Sequence, residues 1–146
     1  MVGLLSKKFK FPKSEIVVVD PKNLPPLPSQ CWLKPKKHNQ GGYDAVYIDK
    51  VKGLVHFVQV TKSDTHSFLM GYFYVMIESL VKREMSEVKK MEIFFVIESQ
   101  NAPAFKFSTV TGQGLLKAFG WEKDKEIEKL RLVTVDGVDS WDALRW

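Results

Sequence analysis

The residues that could do chemistry gather in one stretch, "GGYDAVYIDKVKGLVHFVQVTKSDTHSF", from Gly41 to Phe68. It carries a carboxylate at Asp44, an amide at Gln59, a hydroxyl at Thr61, an ammonium at Lys62 and an imidazole at His66. A carboxylate beside an amide oxygen and backbone carbonyls is a hard-oxygen donor set, which suits Mg²⁺ or Mn²⁺. On that chemistry Asp44 and Gln59 are the candidate metal ligands.

These side chains can cooperate only if the chain folds them together. Asp44 to Asp49 and Leu54 to Thr61 are rich in β-branched and aromatic residues, and "KVKG" between them is a hairpin connection with glycine near its end. In such a hairpin the start of the first strand lies beside the end of the second, so Asp44 neighbours the segment from Gln59 to Lys62. Strand alternation puts Val55, Phe57, Gln59 and Thr61 on one face and His56, Val58, Val60 and Lys62 on the other. Lys62 is therefore aimed away from Gln59 unless a bulge or the end of the strand turns it back.

Downstream, Ser63 or Asp64 is placed to cap a helix beginning near Thr65, with His66 in its first turn. Leu69, Tyr72, Phe73, Met76, Leu80 and Val81 recur at helical spacing and predict a stripe facing the core. "MEIFFVIES" is a continuous apolar run that reads as a strand buried on both faces. Strand, strand, helix, strand predicts an α/β domain with a mixed sheet and a crossover helix.

A chain of 146 residues suits one domain. Residues 1–43 read as an irregular, basic, proline-rich part, apart from the strand-like "EIVVVD". Within it "PKNLPPLPSQ", with four prolines, reads as an extended connector. Residues 44–110 form the expected core. A C-terminal extension, 111–146, is expected to hold a short helix around Gly114 to Phe119, a strand from Leu130 to Val135, and a last helical turn in "DSWDALRW".

The charge balance, 22 Lys+Arg against 17 Asp+Glu, gives +5 and favours polyanionic partners. Lys34, Lys36, Lys37 and His38, beside Trp32, are the candidate nucleic-acid contacts, for DNA or RNA alike. A merely solvated basic surface explains the same run. Cys31 is the sole cysteine, which excludes an internal disulfide and a cysteine-based zinc site and suits a reducing, intracellular compartment. No apolar run reaches the ~20 residues of a membrane span.

An Asp opening one strand, a (D/E)-x-K near the end of the next and then a helix is the PD-(D/E)XK nuclease pattern. "YDAVYIDK…LVHFVQVTKSDTH" resembles more specifically the nuclease-like domain of Crinkler effectors and of trypanosomatid retrotransposon hot spot proteins. The resemblance rests on Asp44-Ala45, on Gln59-Val60-Thr61 and on His66, and extends to "MEIFFVIESQNAPAFKF", covering roughly residues 30–110. It implies a restriction-endonuclease-like core, metal-dependent phosphodiester cleavage, a nucleic-acid partner and a nuclear location, with Asp44 and Gln59 holding the metal, Lys62 supporting the attacking nucleophile and His66 contacting phosphate or relaying a proton.

The chain departs from that pattern where it matters for rate. Gln59 stands where the family places an acid, and Thr61 where it places a lysine. Glu15 is the one candidate for the family's acid on a preceding helix, and it adjoins a strand-like run, which suggests a trimmed member or a piece of a longer protein. The expectation is a nuclease-like domain with weakened or lost cleavage. The alternative is a non-enzymatic protein-interaction module, in which Asp44, Gln59 and Thr61 only satisfy the hairpin's backbone and Lys62 and His66 belong to the surface.

Overall fold

The computed structural model describes residues 12–37 and 42–136 and, for the strand Gly3–Leu5, the backbone. The hairpin forms as its residues require. β4 (Ala45–Asp49) and β5 (Leu54–Thr61) pair antiparallel, from Ala45 opposite Val58 to Asp49 opposite Leu54. Gly53 closes the turn at φ +65°, where its carbonyl accepts the amides of Lys89 and Lys90. A side chain there would be strained and would press on Lys89.

β7 (Lys90–Glu98) lies parallel to β5, so the chain must cross over between them, and α1 (Met70–Arg83) lies in that crossover. β3 (Gln30–Pro35) pairs antiparallel with β4, and β2 (Ile16–Val19) pairs parallel with β3 at one edge. On the other side β9 (Arg131–Val135) runs parallel to β7, and β1 (Gly3–Leu5) parallel to β9. The result is a mixed seven-stranded sheet in the order β1-β9-β7-β5-β4-β3-β2. An α/β architecture with a mixed sheet is what the sequence predicts.

Alternation divides the sheet into two apolar faces. Leu33, Val46, Ile48, Val55, Phe57, Ile93, Phe95 and Ile97 pack with Phe73, Met76, Ile77 and Leu80 of α1 in the larger cluster. Trp32, Ala45, Tyr47, Val58, Phe94, Val96 and Val133 form a second cluster on the opposite face.

Several expectations are corrected. Residues 12–37 are not irregular around a lone strand: β3 is an interior strand with Cys31, Trp32 and Leu33 buried. Its apolar run is too short, and too close to prolines, to signal a strand by periodicity. The helix expected at Thr65 starts at Met70 instead, and no side chain caps it. Thr65–Leu69 form β6, which pairs parallel with β8 (Lys106–Thr111) in a separate two-stranded sheet. That partner lies some forty residues away, so local capping signals could not reveal it. Ser63 Oγ does accept the Thr65 amide, but within a turn between strands.

The buried stripe of the helix also differs in part from the expected one. Its buried residues are Met70, Phe73, Met76, Ile77 and Leu80, whereas Tyr72 and Val81 are 42% and 37% exposed. No helix runs from 114 to 119. Gly112, Gly114 and Gly120 adopt positive φ and leave one 3₁₀ turn, Lys117–Phe119, before the single-turn α2 (Glu126–Lys129). The expected strand from Leu130 is β9. The expected helical turn in "DSWDALRW" lies outside the described residues, as does His38.

The proline-rich connector is tied to the far end of the hairpin. Leu24 and Leu27 are buried, and Glu84 Oε1 accepts the Leu27 amide at 2.8 Å and the Lys50 ammonium at 2.9 Å. Lys50 Nζ also donates to the Leu27 carbonyl. Burial alone would raise the Glu84 pKa, yet the bonds from Lys50 and Leu27 hold it below the ordinary carboxylate value.

Candidate functional site

The open end of the hairpin gathers the start of β4, the ends of β3 and β5, and the start of α1. Asp44 precedes β4, and its amide donates to the Val58 carbonyl at 2.8 Å. Its carboxylate Oδ2 accepts the Val60 amide at 2.7 Å, continuing the ladder by a side chain beyond the last backbone pair. Gln59 Nε2 donates to the Val60 carbonyl at 2.9 Å. Asp44 and Gln59 thus meet at one peptide segment, as the hairpin argument predicts, and both polar groups serve it.

Gln59 and Thr61 are buried on the α1 side of the sheet, 9% and 4% exposed. Gln59 lies in register with Phe95 of β7. The His66 ring stands edge-on to that same Phe95 at 5.5 Å, and its Nδ1 meets the Ser67 carbonyl at 2.5 Å. A carbonyl oxygen only accepts, so Nδ1 is the donor in that bond. His66 therefore reaches the Gln59 neighbourhood from β6 rather than from a helical turn. Around Phe95 the rings of Phe68, Phe105 and Phe107 complete an aromatic wall.

Thr61 Oγ1 accepts the Ser63 amide at 3.2 Å, a turn-stabilising bond. Lys62 follows the last residue of β5, exposed in the bend, where its carbonyl accepts Asn101 Nδ2 at 2.9 Å. The residue two after Gln59 on the buried face is Thr61. Glu15 does not belong to this end either. It precedes β2 at the opposite end of that strand, exposed, and its carbonyl accepts the Trp32 amide. Among the described residues no helix carries an acid into the site.

The basic candidates divide. Lys34, Lys36 and Lys37 follow one another at the end of β3, the end next to Asp44, with Lys36 and Lys37 exposed. Trp32 is no stacking platform: it is 2% exposed, packed on Tyr47, and its Nε1 donates to the Pro12 carbonyl. Among the described residues no group of three or more His, Cys, Asp or Glu could hold a metal ion.

Sequence reasoning missed two features. One is a cavity of about 740 Å³ beside the site, lined among others by Lys22, Lys36, Lys37, Tyr43, Gly71 and Tyr72. Tyr72 was the available signal, but the helical stripe assigned it to the core. The other is a charged group on the opposite sheet face. There His56 Nε2 lies 3.1 Å from Glu92 Oε1, while Arg131 and Lys90 also contact Glu92. Burial pushes the His56 pKa below its ordinary value, opposed by Glu92 and reinforced by Lys90.

Comparison of the chain with protein-family models, with curated proteins and with solved structures finds no match in any of the three.

Proposed function

We propose that this chain is a nucleic-acid-associated domain on a restriction-endonuclease-like core, with metal-dependent phosphodiester cleavage weakened or lost. The observation that carries the reading is the run β3-β4-β5-β7. An antiparallel three-stranded segment is followed by a crossover helix and a strand parallel to β5, with Asp44 set against the end of β5. The resemblance carried by Asp44, Gln59, Thr61 and His66 falls on that end of the sheet, and Lys34, Lys36 and Lys37 adjoin it. DNA or RNA is the partner, in the nucleus.

The donor set fits Mg²⁺ or Mn²⁺ only weakly. Asp44 brings one negative charge and Gln59 only a neutral amide oxygen, and Asp44 Oδ2 already accepts the Val60 amide. A hard cation held there would retain most of its waters. When bound, it would polarise a phosphoryl oxygen and acidify a water. Thr61 brings no cation to the developing phosphorane, and Lys62 lies off that face, which removes stabilisation normally worth about 10²–10³ in rate.

The second reading, a protein-interaction module without chemistry, is favoured by one observation. Asp44 and Gln59 both bond to the backbone of Val60 and so account for themselves as hairpin fasteners.

Cleavage of single- and double-stranded DNA and RNA with Mn²⁺ separates the two readings, comparing the wild type with Gln59→Glu/Thr61→Lys. The double change restores an acid and an ammonium on the Asp44 side of the sheet. The wild type should cut slowly or not at all, and the variant should gain about 10²-fold or more. Both sites are buried, so circular dichroism must first show the variant folded; Gln59→Glu alone serves if it is not. A folded double variant that binds Mn²⁺ without cutting favours the interaction module. Efficient cutting by the wild type refutes the weakened site.

A further inference from the structure

We infer that the cavity beside the hairpin's open end binds a nucleoside 5′-phosphate, either free or as one nucleotide of a single strand. The inference deepens the nucleic-acid reading by naming a subsite for it. The cavity has a volume of about 740 Å³, within the usual range for small-molecule sites. It opens where β2 and β3 end, β4 begins and α1 starts, beyond the carboxyl ends of parallel strands, where ligands of open α/β sheets lodge.

Its walls are of two kinds. Lys22, after β2, and Lys36 and Lys37, after β3, line it, three basic residues with one acidic residue, Asp20. Asp20 Oδ1 accepts the Lys22 amide at 3.0 Å and is thereby engaged in shaping its own turn. Leu69, Tyr43, Tyr72 and Val75 supply apolar and aromatic lining. Tyr72 is 42% exposed although it belongs to α1, so its ring is accessible for stacking. Gly42 packs against the base of that side chain. A Cβ on Gly42 would come within 2.4 Å of Tyr72 Cβ, so only glycine allows the approach. Basic and aromatic residues lining one cavity suit a ligand that carries both an anionic group and a flat ring.

The start of α1 supplies the third element. The helix has 14 residues, no side-chain cap and no acidic residue in its first turn. No capping side chain and no acid of the first turn therefore competes with an anion there. Gly71, the second residue of the helix, lines the cavity, and a Cβ built on it meets no heavy atom within 4 Å. Glycine is among the poorest residues for a helix, and no neighbour here demands it. What glycine preserves is open space against the backbone, the arrangement that lets a phosphate approach amide groups closely.

Gly71 also supplies the test, because a side chain there enters the cavity rather than the core. Adenosine 5′-monophosphate and a short oligothymidylate are titrated separately into the wild type, Gly71→Ala, Gly71→Glu and Tyr72→Ala. Calorimetry gives the affinity, and ¹H–¹⁵N spectra locate it. Binding by the wild type should shift the amides of Gly71, Tyr72, Lys36 and Lys37. Gly71→Glu, which adds bulk and a like charge, should weaken it by about tenfold or more. Tyr72→Ala should weaken it roughly tenfold through lost stacking.

Gly71→Ala controls for the helix and should keep a native-like spectrum. If Gly71→Glu does not fold, Tyr72→Ala with the localised shifts decides. Monophosphate binding at these residues without oligothymidylate binding supports the subsite and counts against the nucleic-acid reading. Oligothymidylate binding that leaves these amides unmoved and survives Gly71→Glu overturns the subsite and leaves that reading standing. If neither probe binds, the subsite is overturned.

Discussion

Replacing Asp44 separates a fastener from a metal ligand. Its Oδ2 accepts the Val60 amide at 2.7 Å, beyond the last backbone pair of the hairpin. Asp44→Ala leaves that amide to water or to nothing. A hydrogen bond to a charged acceptor contributes about 1.5–3 kcal/mol when sheltered. Asp44 itself is exposed, so water replaces part of the loss and a destabilisation of about 1 kcal/mol is expected. For a domain of this size that corresponds to a fall in Tm of about 3 °C. Asp44→Asn keeps an acceptor oxygen for Val60 and should recover at least half of the loss. It removes the negative charge, however, and so should abolish any Mn²⁺ affinity. Urea denaturation followed by circular dichroism gives the stabilities, and Mn²⁺ titration gives the affinity. The reasoning is refuted if Asp44→Ala is as stable as the wild type, or if the asparagine variant is no more stable than the alanine variant.

Three further outcomes follow from the same geometry. Glu84→Ala strands the Leu27 amide and the Lys50 ammonium and should cost about 2–4 kcal/mol, with Glu84→Gln intermediate; equal stability in urea would contradict the described bonds. Burial holds the folded-state pKa of His56 below its ordinary value of 6.5. Its contribution to stability is therefore complete above that pH and lost as pH falls through the folded value, and His56→Phe should flatten this part of the stability–pH curve. The Cys31 thiol, pushed up to about 11 chiefly by burial, should resist alkylation at neutral pH in the native protein and react on unfolding. Rapid native-state labelling would contradict its place in the core.

What the sequence discloses here depends on how far away the deciding partner lies. β4, β5, β7 and β9 each carry enough β-branched or aromatic residues to be read as strands on their own. Their alternation fixes which side of the sheet Gln59 and Thr61 occupy. β3 is hidden because "CWL" is a short apolar run between prolines and lysines, and only pairing with β4 and β2 makes it a strand. Thr65 to Leu69 follow the capping candidates Ser63 and Asp64, yet β8 claims them as a strand, and the helix begins only at Met70.

The juxtaposition of Asp44 with the end of β5 is legible because a hairpin dictates it. The approach of His66 to Phe95 is legible only as proximity, since the element that carries it is a strand. The cavity is illegible. Its walls come from five separate segments, and Gly71 and Tyr72 acquire meaning only when those segments meet.

The central claim, association with nucleic acid, is tested most directly by the affinity of the wild-type chain for a labelled oligonucleotide as a function of salt. Phosphate contacts release counterions, so log affinity should fall linearly with log salt concentration. Reversal of Lys36 and Lys37 to Glu should weaken binding to every sequence alike and make the slope shallower by about one for each phosphate that is no longer neutralised. Absence of binding at low salt, or affinity unchanged by the double reversal, would contradict the account and leave the protein-interaction module in its place.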